Sequence, residues 1–476
     1  MSYLLCVDLG TSACKSAIYD QELNIKGLAS EDLRTAFPRF MWAEQSPEDW
    51  WAKSRIAIRR SIRAAGIRAK DIVGAGICGQ GHGPVLLNRK FRALFPCIIW
   101  PDLRAIKQAE FIEANLHREA AAYYTAAKLL WIREKCPKIF KEMWKFVLPK
   151  DYIRIKLTDT VLTDSGDAAG TMMYSMEGKS WDYELVDFVG IPRQKLPDVR
   201  PSEEVVGEVT RKASAETKLR AGTPVIAGTA DYICTRLALE CYLKPRKAVV
   251  YLGSAPSIFT VGKGGNVVGG FMGIGGATLR WFKERLCCLD SSTVNYEALD
   301  KEAEMAEPGS GGLLFLPHMM GERKPAYNPY ARGVLFGLSL GHERRNVVRS
   351  MMEGVAFQLK CILKSMQDVE KLDEILVIGG GAKSFAWVQV VADIFNVDAC
   401  MPHSVEMGTL GLAVLLSSSL GFFGSVSEAQ KKLSIDVARR ASPRREHNQK
   451  YDELFSLYCD LEKALARFYG RVHSSL

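Results

Sequence analysis

A strand-turn-strand pattern that occurs twice, about half a chain apart, constrains the fold more than any other feature of this sequence. In the first copy, β-prone runs flank Gly10-Thr11-Ser12 within residues 3–19; in the second, similar runs flank Gly253-Ser254 within residues 247–261. Each pattern predicts a β-hairpin. Because a chain of 476 residues is too long for one ordinary core, the repeat predicts two related domains, each presenting a hairpin tip toward a shared cleft.

The two hairpin tips differ in what they could bind. Small residues that expose hydroxyl and amide donors are suited to cradle a phosphate, and Asp8, just before the first tip, could hold Mg²⁺ through water. Aligning Gly10 with Gly253 aligns Asp8 with Tyr251, so only the first tip is suited to serve a metal. Taken alone, Gly10-Thr11-Ser12 is also well explained as a plain turn.

Asp231 follows the short apolar run that begins at Pro224 and ends in Gly-Thr-Ala, and a helical pattern comes directly after it. We therefore predict that Asp231 lies at a strand-to-helix turn. A helix N-terminus stabilises an anion there, and the neighbouring glycine lets a ligand approach the backbone. Capping the helix is the commoner role of such an aspartate, so capping and catalysis both stand as interpretations.

Other strand ends also carry polar residues. Residues 72–78 predict a buried strand that leads to His82 between two glycines, where a ligand-facing and a structural role are equally open. Trp100-Pro-Asp102-Leu-Arg104 follows another apolar strand. The glycine triplet 379–381 follows a predicted strand at 375–378, and its N–H groups could contact a nucleotide, although it has neither Rossmann nor P-loop spacing.

Two helices are predicted with defined ends. Ser46 is the expected N-cap and Pro47 the first residue of a helix that runs to about Ala65. A long helix is expected from Arg345 or Asn346 to about Val369, and another is expected to begin near Asp290 or Ser291.

Composition excludes several classes of protein. The chain is 47% hydrophobic and 25% charged, and no apolar run is suited to span a bilayer. Asp8 interrupts what a signal peptide would need as its apolar region, and twelve cysteines without Cys-x-x-Cys spacing suggest a reducing cytoplasm. The net charge of +9 is spread, and its clusters are interleaved with alanine, so neither nucleic acid nor membrane is an expected partner.

The motifs, taken in order, resemble the FGGY family of carbohydrate kinases, and are most similar to its xylulokinase branch. They cover nearly the whole chain, and the ordered set is far more specific than any single motif. The motifs are Asp8-Leu-Gly-Thr-Ser12, Gly79-Gln-Gly-His-Gly83, Trp100-Pro-Asp-Leu-Arg104, Thr125-Ala-Ala-Lys-Leu-Leu-Trp131, Leu148-Pro-Lys-Asp-Tyr152, Asp167-Ala-Ala-Gly-Thr171, Gly321-Glu-Arg-Lys-Pro325, Gly333-Val-Leu-Phe-Gly-Leu338 and Gly379-Gly-Gly-Ala-Lys-Ser384.

The resemblance implies an α/β, actin-like (ribonuclease H-like) fold of duplicated domains with a catalytic cleft between them. Residues 1–242 would form the sugar-binding domain that carries the catalytic aspartate, and residues 243–476 the nucleotide-binding domain. The implied reaction is transfer of the γ-phosphate of ATP to a hydroxyl of a ketopentose such as D-xylulose, with Mg²⁺ as cofactor. The implied partners are a small sugar and ATP; the oligomeric state stays open, a homodimer being one option.

The resemblance also assigns roles to residues. Asp231 would be the general base, and Asp8 would position Mg²⁺ through water. The remaining assignments form two sets: Gly81, His82, Trp100, Asp102, Asp231 and Tyr232 for the sugar, and Thr11, Ser12, Lys15, Gly253, Ser254, Asn295, Gly380, Gly381 and Ala382 for the nucleotide.

Three departures from the family pattern bear on the substrate. Tyr232 replaces a sugar-binding asparagine, and Gly81 replaces a methionine, which opens space. Pro256, in the second phosphate turn, lacks the N–H of the usual glycine. These changes leave other sugars or polyols (ribulose, gluconate or glycerol-like) as alternatives, together with a sensor of the same fold that has lost phosphoryl transfer.

Overall fold

The computed structural model describes residues 2–287 and 295–474 and has an α/β architecture in two compact units. The first unit comprises Met1–Glu240 and Met407–Leu433, and the second comprises Cys241–Glu406 and Ser434–Leu476. Within the described ranges, no helix combines the length and the apolar character needed to cross a membrane.

The strands, in chain order, are β1 (Tyr3–Leu9), β2 (Ala13–Tyr19), β3 (Ile25–Asp32), β4 (Glu44–Gln45), β5 (Ile72–Gly79), β6 (Val85–Leu87), β7 (Cys97–Ile98), β8 (Lys145–Val147), β9 (Leu162–Asp164), β10 (Tyr174–Ser175), β11 (Ser180–Trp181), β12 (Asp198–Arg200), β13 (Val205–Glu208), β14 (Pro224–Ile226), β15 (Thr229–Ala230), β16 (Lys247–Tyr251), β17 (Ser257–Val261), β18 (Val267–Phe271), β19 (Leu314–Leu316), β20 (Val334–Phe336), β21 (Glu374–Ile378), β22 (Asp398–Pro402) and β23 (Val437–Ala441).

The helices, in chain order, are α1 (Pro47–Ala65), α2 (Ile106–Leu116), α3 (Thr125–Lys135), α4 (Pro137–Glu142), α5 (Pro149–Thr158), α6 (Ser165–Ala169), α7 (Tyr183–Val189), α8 (Arg211–Thr217), α9 (Asp231–Leu239), α10 (Gly276–Arg285), α11 (Tyr296–Met305), α12 (Arg344–Ser365), α13 (Phe385–Phe395), α14 (Met407–Ser419), α15 (Val426–Lys432) and α16 (Asn448–Ser474).

The main sheet of the first unit has the strand order β13-β14-β5-β1-β2-β3, with β15 also paired to β5. Strands β1, β2 and β3 form an antiparallel meander, whereas β1 pairs in parallel with β5, and β5 in parallel with β14 and β15. The predicted hairpin of residues 3–19 is confirmed, because β1 and β2 are joined at Gly10-Thr11-Ser12.

The main sheet of the second unit repeats this topology, with the order β18-β17-β16-β21-β22-β23. Strands β16, β17 and β18 form the meander, β16 pairs in parallel with β21, and β21 in parallel with β22; an antiparallel strand, β23, ends the sheet as β13 does in the first. The predicted second hairpin and the duplication of the fold are therefore confirmed.

The units do not divide the chain at a single point. The predicted boundary after residue 242 lies two residues beyond the change of unit at Glu240, while residues 407–433 return to the first unit. They do so because α14 packs closely on α9: a Cβ at Gly411 would lie 1.7 Å from the carbonyl oxygen of Cys234. The sequence motifs did not predict that residues 407–433 belong to the first unit.

The predicted helix ends agree in part with the structure. Ser46 caps α1 by accepting a hydrogen bond from the N–H of Asp49, as predicted. Helix α12 ends at Ser365, earlier than the predicted Val369, because Met366 adopts an extended backbone conformation. The predicted cap at Asp290 or Ser291 lies outside the described residues, and α11 begins after Asn295.

Candidate active site

Three parallel strands of the first unit bring the N-terminal hairpin, the His82 loop and Asp231 to one edge of a sheet. Strand β5 lies between β1 and β15, and Cys78 is in register with Asp8 on one side and with Thr229 on the other. Parallel neighbours are about 4.8 Å apart, so residues that follow the carboxyl ends of these strands are close together. Asp231, two residues beyond Thr229, lies at the edge where Gly10 and Gln80 also lie.

Asp231 is the first residue of α9, and Ala230 occupies the N-cap position. The predicted strand-to-helix turn is confirmed, and the alternative that Asp231 serves as N-cap is not what the structure shows. Burial and the nearby charge of Asp8 raise the pKa of Asp231 from 3.8 to about 7, against a lowering contribution from the N–H of Tyr232. The carboxylates of Asp8 and Asp231 therefore lie close enough to interact.

Helix α14 contributes to the surroundings of Asp8, although sequence reasoning assigned no role to it. A Cβ at Gly408, in the first turn of α14, would lie 2.9 Å from Oδ2 of Asp8. The glycine thus leaves space beside the carboxylate, and the N-terminus of the helix favours negative charge there. A signal existed in the Gly408-Thr-Leu-Gly411 spacing, which suits close helix packing, but it did not identify the partner helix.

A buried ionic network holds the segment that precedes Asp231. Lys150 lies 2.6 Å from Asp151 and 2.9 Å from Asp164, and all three side chains are buried. Arg154 pairs with Asp151 and also donates a hydrogen bond of 3.0 Å to the carbonyl oxygen of Ala227. Sequence reasoning placed Lys150 and Asp151 in a motif without giving them a role; the structure shows that this network anchors the backbone that leads to Asp231.

The N-terminal hairpin tip is fixed by hydrogen bonds from three directions. Trp100 Nε1 donates to Oγ1 of Thr11 at 2.7 Å, and Gln45 Nε2 donates to the carbonyl oxygen of Thr11 at 2.8 Å. The carbonyl oxygen of Ser12 accepts a hydrogen bond from the N–H of Leu33. The structure thus brings Trp100, predicted to bind sugar, into contact with Thr11, predicted to bind phosphate.

Lys15 lies within the hairpin rather than at its tip. It is directly opposite Asp8 in the antiparallel register of β1 and β2. Side chains of opposed residues share a face of the sheet, about 5 Å apart at Cβ, so Lys15 and Asp8 are neighbours. This places a cation beside the proposed metal-positioning carboxylate.

The backbone and ring of His82 are both held in place. His82 has a left-handed backbone (φ 67°), and its Nδ1 lies 2.6 Å from the carbonyl oxygen of Gly170. A carbonyl oxygen only accepts, so Nδ1 of His82 donates this hydrogen bond. The carbonyl oxygen of His82 accepts hydrogen bonds from Thr125 and Lys128. Gly81 is buried, with Asp167 Oδ1 3.5 Å from the position that a Cβ would take.

Asp102 and Tyr232 differ sharply in exposure. Asp102 is fully buried; its Oδ2 accepts from the N–H of Ala43 at 2.5 Å, and Arg104 donates to both of its oxygens. These contacts give Asp102 a positioning role for Arg104, and direct contact with sugar stays a prediction. Tyr232 is 39% exposed in the first turn of α9.

In the second unit, the Gly253-Ser254 turn packs against the start of α10. Gly253 and Ser254 accept backbone hydrogen bonds from Gly276 and Gly275, at 3.1 and 3.0 Å. A Cβ at Gly275 would lie 2.3 Å from Cγ of Pro256, so the proline ring fills the space over that glycine. Pro256 removes one N–H donor but supports the shape of the turn.

The glycine triplet lies beside that turn, because Ile378 of β21 is in register with Tyr251 of β16. Gly381 donates a hydrogen bond of 2.8 Å to the carbonyl oxygen of Leu252, and Ala382 donates to that of Gly379, so these two N–H groups are already engaged. Gly380 is exposed, with no atom within 4 Å of a Cβ placed there. A short 3₁₀ turn over Gly380–Lys383 separates the triplet from α13.

Asn295 has a visible structural role. It is the N-cap of α11, and its Oδ1 accepts a hydrogen bond from the N–H of Ala298 at 2.8 Å. Its predicted contact with a nucleotide stays a prediction. The structure thus groups most predicted residues at two strand-end clusters, one in each unit.

Comparison with known proteins identifies the family to which both units are similar. The N-terminal domain of the FGGY family of carbohydrate kinases matches residues 3–238, and the C-terminal domain of the same family matches residues 245–420. The chain is 30% identical to a xylulose kinase of Bacillus subtilis (strain 168), with 96% of each chain covered. It is 28% identical to glycerol kinase 2 of Sulfolobus acidocaldarius, with 98% of each covered.

Solved structures show the same fold. A ligand-bound xylulose kinase from Lactobacillus acidophilus superposes with a TM-score of 0.81 at 24% identity, covering 99% of this chain and 100% of the other. The chain therefore belongs to the FGGY family of carbohydrate kinases, whose actin-like α/β fold its two units share.

Proposed function

We propose that this carbohydrate kinase transfers the γ-phosphate of ATP to a hydroxyl of a ketopentose such as D-xylulose, with Asp231 as general base. The observation that carries the proposal is the position of Asp231 at the strand edge beside Asp8, with a pKa of about 7. A base of this pKa is deprotonated in about half of the molecules at neutral pH and still binds a proton strongly enough to take one from an attacking hydroxyl.

The sugar would be oriented by residues of the first unit. His82 offers an imidazole whose orientation is fixed by its hydrogen bond to Gly170, and Gly81 beside it carries no side chain. Tyr232, partly exposed and adjacent to Asp231, is the proposed determinant of which hydroxyl arrangement is accepted. Trp100 acts by holding Thr11.

Each unit has a hairpin tip suited to bind phosphate groups. Thr11 and Ser12 supply hydroxyls from the first unit, and Ser254 supplies one from the second, where the exposed Gly380 gives a nucleotide close access to backbone. Lys15 would add positive charge close to Asp8.

Asp8 suits a Mg²⁺ ion, because its carboxylate is a hard oxygen donor and Gly408 leaves space beside Oδ2. When bound, Mg²⁺ would supply positive charge that offsets the negative charge of the phosphates. We include a cytoplasmic location in the proposal, because twelve cysteines without Cys-x-x-Cys spacing suit a reducing compartment.

The substrate is tested by measuring kcat/KM from coupled ADP release with D-xylulose, D-ribulose, gluconate and glycerol. We expect the highest value with D-xylulose. A higher value with glycerol or gluconate would assign the enzyme to another branch of the family, an alternative that the glycerol kinase relative and the Tyr232 and Gly81 replacements support.

A sensor without transferase activity is the second candidate, favoured by the missing N–H donor at Pro256. Thermal stabilisation by a sugar, without ADP release for any member of the panel, would support the sensor and exclude the kinase. Release of ADP with any sugar would exclude the sensor.

A further inference from the structure

The second unit contains a partly buried cluster of metal-ligating side chains that shares no residue with the sugar and phosphate sites. His318 follows β19, Glu322 lies four residues later, and Glu462 lies on α16. One ligand atom from each of the three lies within 4.8 Å of the others. His318 is 3% and Glu322 8% exposed, whereas the side chain of Glu462 is 18% exposed, so the cluster is open to water only on the Glu462 side.

Supporting contacts hold the cluster in place. Glu322 exchanges two backbone hydrogen bonds with Asn328, at 2.8 and 3.0 Å. Oε1 of Glu322 accepts a hydrogen bond from Nε2 of Gln358 at 2.9 Å. The hydroxyl of Tyr458 in turn donates to Oε1 of Gln358 at 2.9 Å. Metal ligands are characteristically held by such outer hydrogen bonds, which fix their orientation.

The three ligand side chains lie side by side. His318 Nε2 contacts Oε1 of Glu462, and a carboxylate oxygen of Glu322 lies within 4.8 Å of both of these ligand atoms. One imidazole and two carboxylates form a donor set that suits a divalent cation.

A fourth side chain gives an independent indication of a ligand. Tyr469 is 9% exposed, and among the described residues its hydroxyl has no hydrogen-bond partner. Burial and then the charges of Glu462 and Glu322 raise its pKa, which places the hydroxyl near these two carboxylates. Tyr469 lies seven residues after Glu462, two turns along the same face of α16. A buried hydroxyl in this position is suited to bind a metal-bound water.

We propose that His318 Nε2 and the carboxylates of Glu322 and Glu462 bind one Zn²⁺ ion, with a water at the fourth position near Tyr469. One imidazole and two carboxylates suit tetrahedral Zn²⁺, whereas Mg²⁺ requires oxygen ligands and keeps several waters. Bonds of about 2.0–2.1 Å bring tetrahedral ligand atoms about 3.4 Å apart, so the side chains need to move by roughly 1 Å. When Zn²⁺ binds to Nε2 of His318, the proton on that nitrogen is released to solvent. The ion would connect α16 to the loop after β19.

The proposal is tested with the full-length protein, stripped of metal, in buffer without nucleotide. ZnCl₂ is titrated against a chromophoric chelator for the wild type, His318→Gln, Glu322→Gln and the matched control His403→Gln, whose parent histidine is exposed. We expect one tight Zn²⁺ site in the wild type and in the control. In His318→Gln and Glu322→Gln, Zn²⁺ should bind at least about 10–100-fold more weakly, because removing a residue that only hydrogen-bonds to a metal ligand already costs that much.

Cobalt substitution gives a readout that does not depend on variants folding. The wild type with one equivalent of CoCl₂ should show tetrahedral d–d absorption without a thiolate charge-transfer band. A thiolate band, no stoichiometric site in the wild type, or tight binding that persists in folded His318→Gln and Glu322→Gln would each overturn the proposal.

Discussion

Replacing Asp231 with asparagine separates its proposed catalytic role from a purely structural one. Asparagine keeps the shape of the side chain but cannot accept the proton of the attacking hydroxyl. Loss of a positioned general base typically costs 10²–10⁴-fold in rate, so we expect kcat to fall by about that factor. In the wild type, kcat/KM should rise with pH through about 7, because this pKa is that of the protein without bound substrate, and about a tenth of Asp231 should be deprotonated one pH unit lower.

The same substitution should stabilise the protein above neutral pH. Because the native state binds the Asp231 proton more tightly than the unfolded chain, the wild type loses stability as pH rises from 3.8 to about 7. At about 1.4 kcal/mol per pKa unit the full cost is about 4 kcal/mol; since Asp231 is partly exposed, we expect roughly half of it. Asparagine avoids this cost, so the variant should be more stable by about 2 kcal/mol at pH 8.

Urea unfolding of both proteins at pH 8 and pH 4 measures this difference, and Asp32→Asn, at an exposed position of the same unit, is the matched control. The stability gap should be present at pH 8 and close near pH 4, because Asp231 is then protonated in the native wild type. A variant that retains more than a tenth of wild-type kcat would refute the assignment of the base. Equal stability of the two proteins at pH 8 would refute the reasoning from burial.

Three further substitutions, one of them paired with a control, test the supporting structure. Gly411→Ala should destabilise the protein by more than about 3 kcal/mol in urea unfolding, because the new Cβ would lie 1.7 Å from a backbone oxygen. The control Gly470→Ala, at a helical position with no atom within 4 Å of a Cβ, should stabilise the protein by up to about 1 kcal/mol. Lys150→Met should cost about 3–5 kcal/mol by the same measurement, since it leaves buried carboxylates unpaired; a cost below 1 kcal/mol would contradict the network. Trp100→Phe removes the hydrogen-bond donor to Thr11 and should raise KM for ATP up to about tenfold in steady-state kinetics. An unchanged KM would contradict the role of this hydrogen bond in phosphate binding.

Local patterns predicted the parts of the fold that depend on neighbouring residues. The two hairpins followed from β-prone runs around glycine, and the cap of α1 followed from Ser46-Pro47. The turn at Asp231 was equally local, although the sequence did not distinguish capping from the helical position that the structure shows.

Contacts between distant segments could not be predicted in this way. The packing of α14 beside Asp8, the hydrogen bond from Trp100 to Thr11 and the meeting of His318 with Glu462 each join segments far apart in the chain. Their residue types are ordinary in isolation, and only the folded topology brings them together. Two side chains that the family resemblance assigned to ligand binding have structural contacts in the fold. Asn295 caps a helix, and Asp102 forms an ion pair with Arg104.

The central claim is that this chain moves the γ-phosphate of ATP onto a sugar, and isotopic labelling tests it most directly. ATP labelled in the γ-phosphate is incubated with the full-length protein, Mg²⁺ and D-xylulose, and the label is followed among ATP, inorganic phosphate and sugar phosphate. The account predicts label in a pentulose phosphate, in equal amount to the ADP formed, and its near-complete loss in Asp231→Asn. Label that appears only in inorganic phosphate, or transfer that is undiminished in the variant, would contradict it.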